Sequence, residues 1–292
     1  MAAPAQIVRT AVLKYGGSSV ADADKIRAVA AKVAARCKNG ERLVVVVSAM
    51  GKTTNRLIDL AADVSGNSAG YKREMDMLMA TGEQVSAALL AMALRDLGLD
   101  ALSMNAYQIG MLTTDTYSSA RIRDLDAGRI LKELDGRGVV VVTGFQGVAE
   151  NGDLTTLGRG GSDTSAIAIA AALRCPCEIY SDVDGVYACD PRIIPEAKKL
   201  EYVTYEEMLE MASCGARVLH SRGVEIADKQ RVELYCGSTF SDERGTRIVK
   251  NLPEWLEHPV VTGVAVDTDQ IKVNLRGLPE DVHLYTRVFN EL

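Results

Sequence analysis

Two runs of β-branched residues limit the fold more than any other feature of the sequence. "RLVVVVSAM" (42–50) and "GVVVVTGF" (138–145) each contain four consecutive valines. A strand with one wet face alternates apolar and polar residues. An unbroken run fits a parallel strand covered on both faces. "TAVLKYGG" (10–17) and "CEIYSDVDGVY" (177–187) have the same character and end in loop-forming residues. Helical spacing separates the strands: Ile26, Val29, Ala30 and Val33 share one face of a helix over 22–38, and further helices are expected around 55–64 and over 71–97, with a break near Gly82. This alternation predicts an α/β fold with a mostly parallel sheet and helices on both faces. Ligands then belong at the carboxyl ends of the strands. The glycine- and hydroxyl-rich loops 15–19, 48–54 and 144–147 all follow strands.

Composition excludes several classes. A chain of 292 residues suffices for one large α/β domain with or without an appendage. The net charge of -6, with no basic stripe, argues against nucleic-acid binding. Six cysteines are scattered; Cys175 and Cys177 lie close together with no histidine nearby, so reduced thiols are expected rather than a zinc site. The N-terminus lacks a secretory pattern, and no stretch nears the roughly 20 apolar residues of a membrane span. A soluble, cytoplasmic protein without membrane contact is expected. "KNLPEWLEHPVV" (250–261) reads as a linker, followed by strand-like alternation over 260–279 and an amphipathic helix over 280–292. These residues open a second domain or pack as an appendage.

Four charged stretches stand out. In "KYGGSS" (14–19) a lysine precedes paired glycines, which fits a phosphate cradle made with the Gly16 and Gly17 amides, or simply a turn. "YSDVDGVYACDPR" (180–192) reads either as turns or as a nucleotide lip with Tyr187 at a base and Arg192 at a phosphate. Glu83 interrupts an apolar helical stretch, either solvated or turned inward toward a cation. In "TTLGRGGSDTSA" (155–166) Arg159 lies between glycines just before an alanine-rich helix. A guanidinium there fits a small carboxylate or phosphate; otherwise it pairs with Asp153 or Asp163.

Together "KYGGSSV", "MDMLMATGEQVS", "TTLGRGGSDTSAIAIAAAL" and "EIYSDVDGVYACDPR" resemble aspartate kinases of the amino-acid kinase superfamily, in order and at family spacing across residues 10–250. The resemblance implies a three-layer αβα sandwich over 1–250, then a linker and the start of a small α+β ACT-like regulatory segment over 251–292. It implies ATP-dependent phosphorylation of the L-aspartate β-carboxylate to 4-phospho-L-aspartate (an ATP:L-aspartate 4-phosphotransferase), the first step toward lysine, threonine and methionine. ATP and Mg²⁺ are the implied cofactors, L-aspartate the partner, and a homo-oligomer, a dimer, the assembly.

By motif match, Lys14 and Asp163 are the catalytic residues, Lys14 on the phosphates and Asp163 orienting it or the metal shell. Thr54, Glu83, Arg159, Gly160, Gly161 and Ser162 are the substrate residues, with Glu83 on the α-ammonium and Arg159 on the α-carboxylate. Lys14, Tyr15, Gly16, Gly17, Ser48, Ser181, Asp182, Tyr187, Asp190, Arg192 and Arg217 are the ATP residues. The family often carries lysine at the position of Arg217, and Lys52 falls in the substrate loop with no assigned role. A kinase acting on acetylglutamate or a nucleoside monophosphate, and a non-catalytic amino-acid sensor, are the competing readings. Glu83 with Arg159 favours a free α-amino acid over the former, and intact Lys14, Arg159 and Asp163 weigh against the latter.

Overall fold

The fold is that of a computed structural model, in which residues 9–216, 218–255, 261–266 and 285–287 are described. In chain order the first elements are β1 (Thr10–Tyr15), α1 (Ala23–Lys38), β2 (Arg42–Val47), α2 (Thr53–Val64), α3 (Lys72–Met79) and α4 (Thr81–Asp96). Next come β3 (Leu102–Met104), β4 (Met111–Thr113), β5 (Ile122–Leu125), α5 (Gly128–Arg137), β6 (Val139–Thr143), β7 (Gln146–Ala149) and β8 (Leu154–Thr156). The last are α6 (Gly161–Leu173), β9 (Cys177–Ser181), β10 (Tyr202–Thr204), α7 (Tyr205–Ser213), α8 (Ser221–Gln230), β11 (Leu234–Ser238) and β12 (Thr246–Val249).

The valine runs lie at the centre of an eight-stranded sheet ordered β10-β12-β11-β9-β1-β2-β6-β3. All neighbours are parallel except β11 and β12. In register, Val12 faces Val44, Val44 faces Val140, and Lys14 lies between Val46 and Ile179. Strand side chains alternate between faces. Val12, Val44, Val46, Val140 and Val142 therefore enter one core with Ile167 and Ile169 of α6 and Val224 of α8. Ala11, Leu13, Leu43, Val45, Val47 and Val141 enter the other with Val29 and Val33 of α1 and Leu90 and Leu94 of α4. This is the three-layer α/β sandwich with a mostly parallel sheet. The same alternation turns Lys14 toward the α6 layer.

Local signals set several boundaries. The Asp22 side chain caps α1 by accepting from the Lys25 amide at 2.9 Å. Two expected strands are shorter than their apolar runs. β6 stops at Thr143, and Phe145, at φ 71°, turns the chain into β7; β9 stops at Ser181. The break expected near Gly82 in the 71–97 segment falls at Ala80. Gly82 lies inside α4, where a Cβ would come within 2.8 Å of Ala49 Cβ, so the glycine serves close approach to the β2–α2 loop. One expectation about membranes also needs correction: residues 72–96 are long and apolar enough to span a bilayer by length and composition alone. They form two helices, half buried inside the fold.

A second sheet, β5-β4-β7-β8, has strands of three or four residues and was not legible as a sheet. It is mixed: β4 pairs antiparallel with β5 and parallel with β7, and β7 pairs antiparallel with β8. Of the linker and tail, the Val264 amide donates to the Ala188 carbonyl at 2.7 Å, and Trp255 meets Tyr202 edge-on at 6.0 Å. The strand expected over 260–279 and the helix over 280–292 fall mostly outside the described residues.

Leu90 is fully buried between α4 and the sheet. Leu90→Ala should destabilise the chain by about 2–5 kcal/mol through lost transfer energy and a residual cavity. Urea unfolding should show a lower midpoint with an unchanged m-value.

Candidate active site

The site is built where β1, β2 and α6 meet. Lys14 leaves β1 on the α6 side, and its Nζ lies 2.6 Å from Asp163 Oδ1 in the first turn of α6. Both side chains are nearly enclosed, 11% and 13% exposed. The chain then turns at Gly17, where a Cβ would stand 2.8 Å from the Ala49 carbonyl oxygen. The Gly51 amide donates to the Gly17 carbonyl at 2.9 Å, and the Ser48 amide donates to the Tyr15 carbonyl at 3.1 Å. The two strand-end loops are thus laced together, and only a glycine fits at the crossing.

The β2–α2 loop leads to the N-terminus of α2, which places Thr54 and Asn55 at the cleft. Beneath it, Glu83 in the first turn of α4 is only 3% exposed. Its Oε1 accepts from the Ala49 amide at 2.9 Å, while its buried Oε2 has no hydrogen-bond partner. Burial pushes the Glu83 carboxyl up to about 7; the hydrogen bond from Ala49 opposes that rise without cancelling it.

On the opposite side the stretch 155–166 leaves β8, and Gly160, at φ 68°, adopts the left-handed conformation just before α6. A Cβ there would come within 2.4 Å of His220, so this residue is constrained both in backbone and in space. Arg159 is exposed and has no acidic partner among the described residues. Asp163 is held by Lys14; Asp153 is held by Arg73 at 3.0 Å and by the Tyr117 hydroxyl at 2.7 Å. Both acids that the sequence offers as partners for Arg159 are occupied. The amides of the first turn of α6 add further positive potential.

These groups line one open cleft of about 690 Å³, which also reaches Ser118, Phe145, Thr156 and Gly158. It has a cationic wall with Lys14 and Arg159 and an acidic floor at Glu83. Among the described residues no three acids, histidines or cysteines cluster as metal ligands.

The sequence matches the amino acid kinase family over residues 9–238. The chain belongs to that family. It is 50% identical over 283 residues to an aspartokinase of Mycobacterium tuberculosis, an alignment covering 95% of this chain and 66% of the relative. The chain thus spans about two thirds of the length of such curated relatives. An aspartate kinase structure from Synechocystis superposes with a TM-score of 0.72 at 47% identity, covering 82% of this chain and 40% of that one. Aspartokinase III of E. coli, in complex with aspartate and ADP, superposes with a TM-score of 0.76 at 27% identity, covering 84% of this chain and 66% of that one.

Within this amino acid kinase chain, Lys14, Gly17, Ser48, Thr54, Glu83, Arg159, Gly160, Gly161, Ser162 and Asp163 share the cleft lining. The other expected nucleotide residues are not part of that lining. The Tyr15 ring is buried on the opposite sheet face, stacked on Tyr180 at 5.2 Å, because β-alternation sends it away from Lys14; its expected contact with ATP is left to the backbone. The Gly16 amide is already donated to the Tyr180 carbonyl at 3.1 Å, so it is not free for a phosphate in this arrangement. Ser181 lies at the end of β9, beside β1, and its Oγ accepts from the Val183 amide at 3.2 Å. Asp182 is exposed. The Tyr187 hydroxyl donates to Asp184, and exposed Arg192 forms a fork with Asp190 at 2.6 Å instead of standing free for phosphate. Arg217 lies outside the described residues. Lys52 precedes α2 and is exposed.

Sequence reasoning missed Ser118, Phe145 and Thr156 in the lining, and Asp76 behind them. Thr156 and Phe145 lay in stretches already singled out, and Asp76 carried a signal of its own, as a second acid about two helical turns before Glu83 in the same apolar stretch.

The raised Glu83 carboxyl has a stability consequence with a defined sign. The folded state holds this proton more tightly than the unfolded chain, so the contribution is fully present below about 4.5 and is lost as pH rises to about 7. Glu83→Gln removes the titration. Between pH 4.5 and 8 the variant should gain on wild type by up to about 3 kcal/mol in urea unfolding. Parallel pH profiles for the two proteins would contradict the burial of this charge.

Proposed function

We propose that this chain transfers the γ-phosphoryl group of ATP to the β-carboxylate of L-aspartate, giving 4-phospho-L-aspartate and ADP. One observation carries the reading: a single cleft presents Oε2 of buried Glu83 and the guanidinium of Arg159, both without a partner among the described residues. An acceptor for an ammonium and a fork for a carboxylate are the two groups that a free α-amino acid requires. The aspartate and ADP bound by E. coli aspartokinase III, and the aspartokinase names of the relatives, support the same choice.

The chemistry suits these residues. A carboxylate of ordinary pKa near 4 is already ionised at neutral pH, so the attack needs no general base. One aspartate β-carboxylate oxygen bonds to the γ-phosphorus while the bond from phosphorus to the β,γ-bridging oxygen breaks, and ADP leaves with that electron pair. The difficulty is bringing anions together and spreading charge over the transferring group. Lys14 meets that charge, and Asp163 holds the ammonium aimed from β1 into the cleft. Ser48 and the Gly17 backbone border the phosphate side, with Thr54 and Ser162 supplying hydroxyls. Among the described residues the donor set holds no acidic cage, so Mg²⁺ would be carried by the ATP phosphates and water, with Asp163, beside Lys14, the acid that would orient its water shell.

Several finer features belong to the same proposal and rest on the resemblance. These are a catalytic unit over 1–250, an ACT-like segment opening over 251–292, a cytoplasmic homodimer, and a product that feeds lysine, threonine and methionine synthesis. Ser181, Asp182 and Arg217 would also serve the nucleotide, and Tyr187, Asp190 and Arg192 would do so after the Asp190–Arg192 and Asp184–Tyr187 contacts open.

Trapping with hydroxylamine tests the reading. L-Aspartate, but neither L-glutamate nor N-acetyl-L-glutamate, should give hydroxamate in the presence of MgATP. Lys14→Ala should lower kcat by about 10²–10³, and Arg159→Ala should raise KM for aspartate by roughly 10- to 100-fold. Equal product from N-acetyl-L-glutamate would sink the assignment of Glu83 to an ammonium. Aspartate affinity should also fall below pH 7 as Glu83 gains its proton.

A further inference from the structure

Asp76, on α3, is fully buried, and no cation pairs with it among the described residues. A carboxylate in that position is costly unless donors converge on it. They do. The Thr156 amide donates to Oδ2 at 2.8 Å and the Thr156 hydroxyl to Oδ1 at 2.8 Å. The Ser118 amide straddles both oxygens at 2.9 and 3.1 Å, and the Ser118 hydroxyl adds a longer bond at 3.3 Å.

Ser118 belongs to the β4–β5 turn, and Thr156 ends β8, three residues before Arg159. Two more contacts close the unit. The Ala120 amide donates to the Thr156 carbonyl at 2.9 Å. Arg222 donates to the Leu157 carbonyl at 2.7 Å and to the Ala120 carbonyl at 2.8 Å. Ser118 is held at φ 67°, a conformation that a serine adopts at a cost, and the carboxylate takes up the amide that this turn points inward.

We propose that Asp76 is a positioning residue for the substrate carboxylate: it clamps the β4–β5 turn to the end of β8, so that Arg159 projects from a braced backbone rather than a free loop. A guanidinium whose backbone is already ordered loses less freedom on binding, so the clamp raises affinity for aspartate without touching it. This inference rests on the kinase reading above for its substrate, but the bracing itself does not.

Full-length chain carrying Asp76→Ala, Asp76→Asn or Thr156→Val tests it, with kcat, both KM values, thermal midpoint and amide hydrogen exchange measured. Asp76→Ala should raise KM for aspartate by roughly 10- to 100-fold, with KM for ATP within about twofold of wild type. Its exchange should quicken in residues 115–121 and 157–160 while the central sheet stays protected. Asp76→Asn should recover most of the affinity. Its amide oxygen can accept both backbone N–H groups, and its NH₂ can donate to hydroxyls that rotate to receive it. If Asp76→Ala does not fold, Thr156→Val removes one hydroxyl at constant shape and should raise KM for aspartate by about 3- to 10-fold. An unchanged KM for aspartate overturns the proposal, as does a uniform loss of both KM values and stability with asparagine no better than alanine. If wild type makes no aspartyl phosphate, the kinase reading fails on its own. The clamp then stands or falls on whether exchange quickens locally in those two segments.

Discussion

The ion pair between Lys14 and Asp163 ties the site to the scaffold. It joins the central strand β1 to the first turn of α6 at 2.6 Å, with both side chains nearly enclosed. In such surroundings the attraction is weakly screened, and removing either partner strands a charge at a cost of several kcal/mol. The position of the pair follows from the strand period. Lys14 occupies a place in the alternation that its neighbours Val12 and Val46 fill with apolar contacts to the α6 layer. The sheet therefore aims the ammonium, and the ammonium fixes the end of the helix that follows Arg159.

Around that pair the cleft carries opposite charges at two ends, and the two are held differently. Lys14 is paired and ready, whereas Glu83 is buried with one oxygen satisfied and one not. Such a group costs stability near neutral pH and recovers that cost only when a cation arrives. Arg159 is the converse, exposed and without an acidic partner among the described residues, because Lys14 and Arg73 hold the two acids near it in the sequence. The proposed ligand, a small molecule bearing both charges, answers both ends at once.

How far the sequence revealed this depends on the range of each signal. The parallel core was legible because four valines in a row leave few alternatives, and the helix of Ile26, Val29, Ala30 and Val33 because its period is local. Arg159 and Lys14 were legible because glycines flank or follow them. The second sheet was not, since strands of three residues carry too little pattern to register. The direction of the Tyr15 ring was not legible, because a motif names neighbours along the chain without saying which face each one takes.

By itself, the sequence determined the layered α/β class, the strand-end loops that line the cleft, and the charged residues available to it. These follow from local periodicity and from backbone freedom at glycine, both of which are properties of short segments. Only the tertiary structure decided which acid pairs with which base. It matched Asp163 with Lys14 and Asp153 with Arg73, left Arg159 without an acid among the described residues, and buried Asp76 under amides from the separate segments at Ser118 and Thr156. The reason is that electrostatic partners are chosen by distance in space, and distance between residues remote in sequence is set by packing alone.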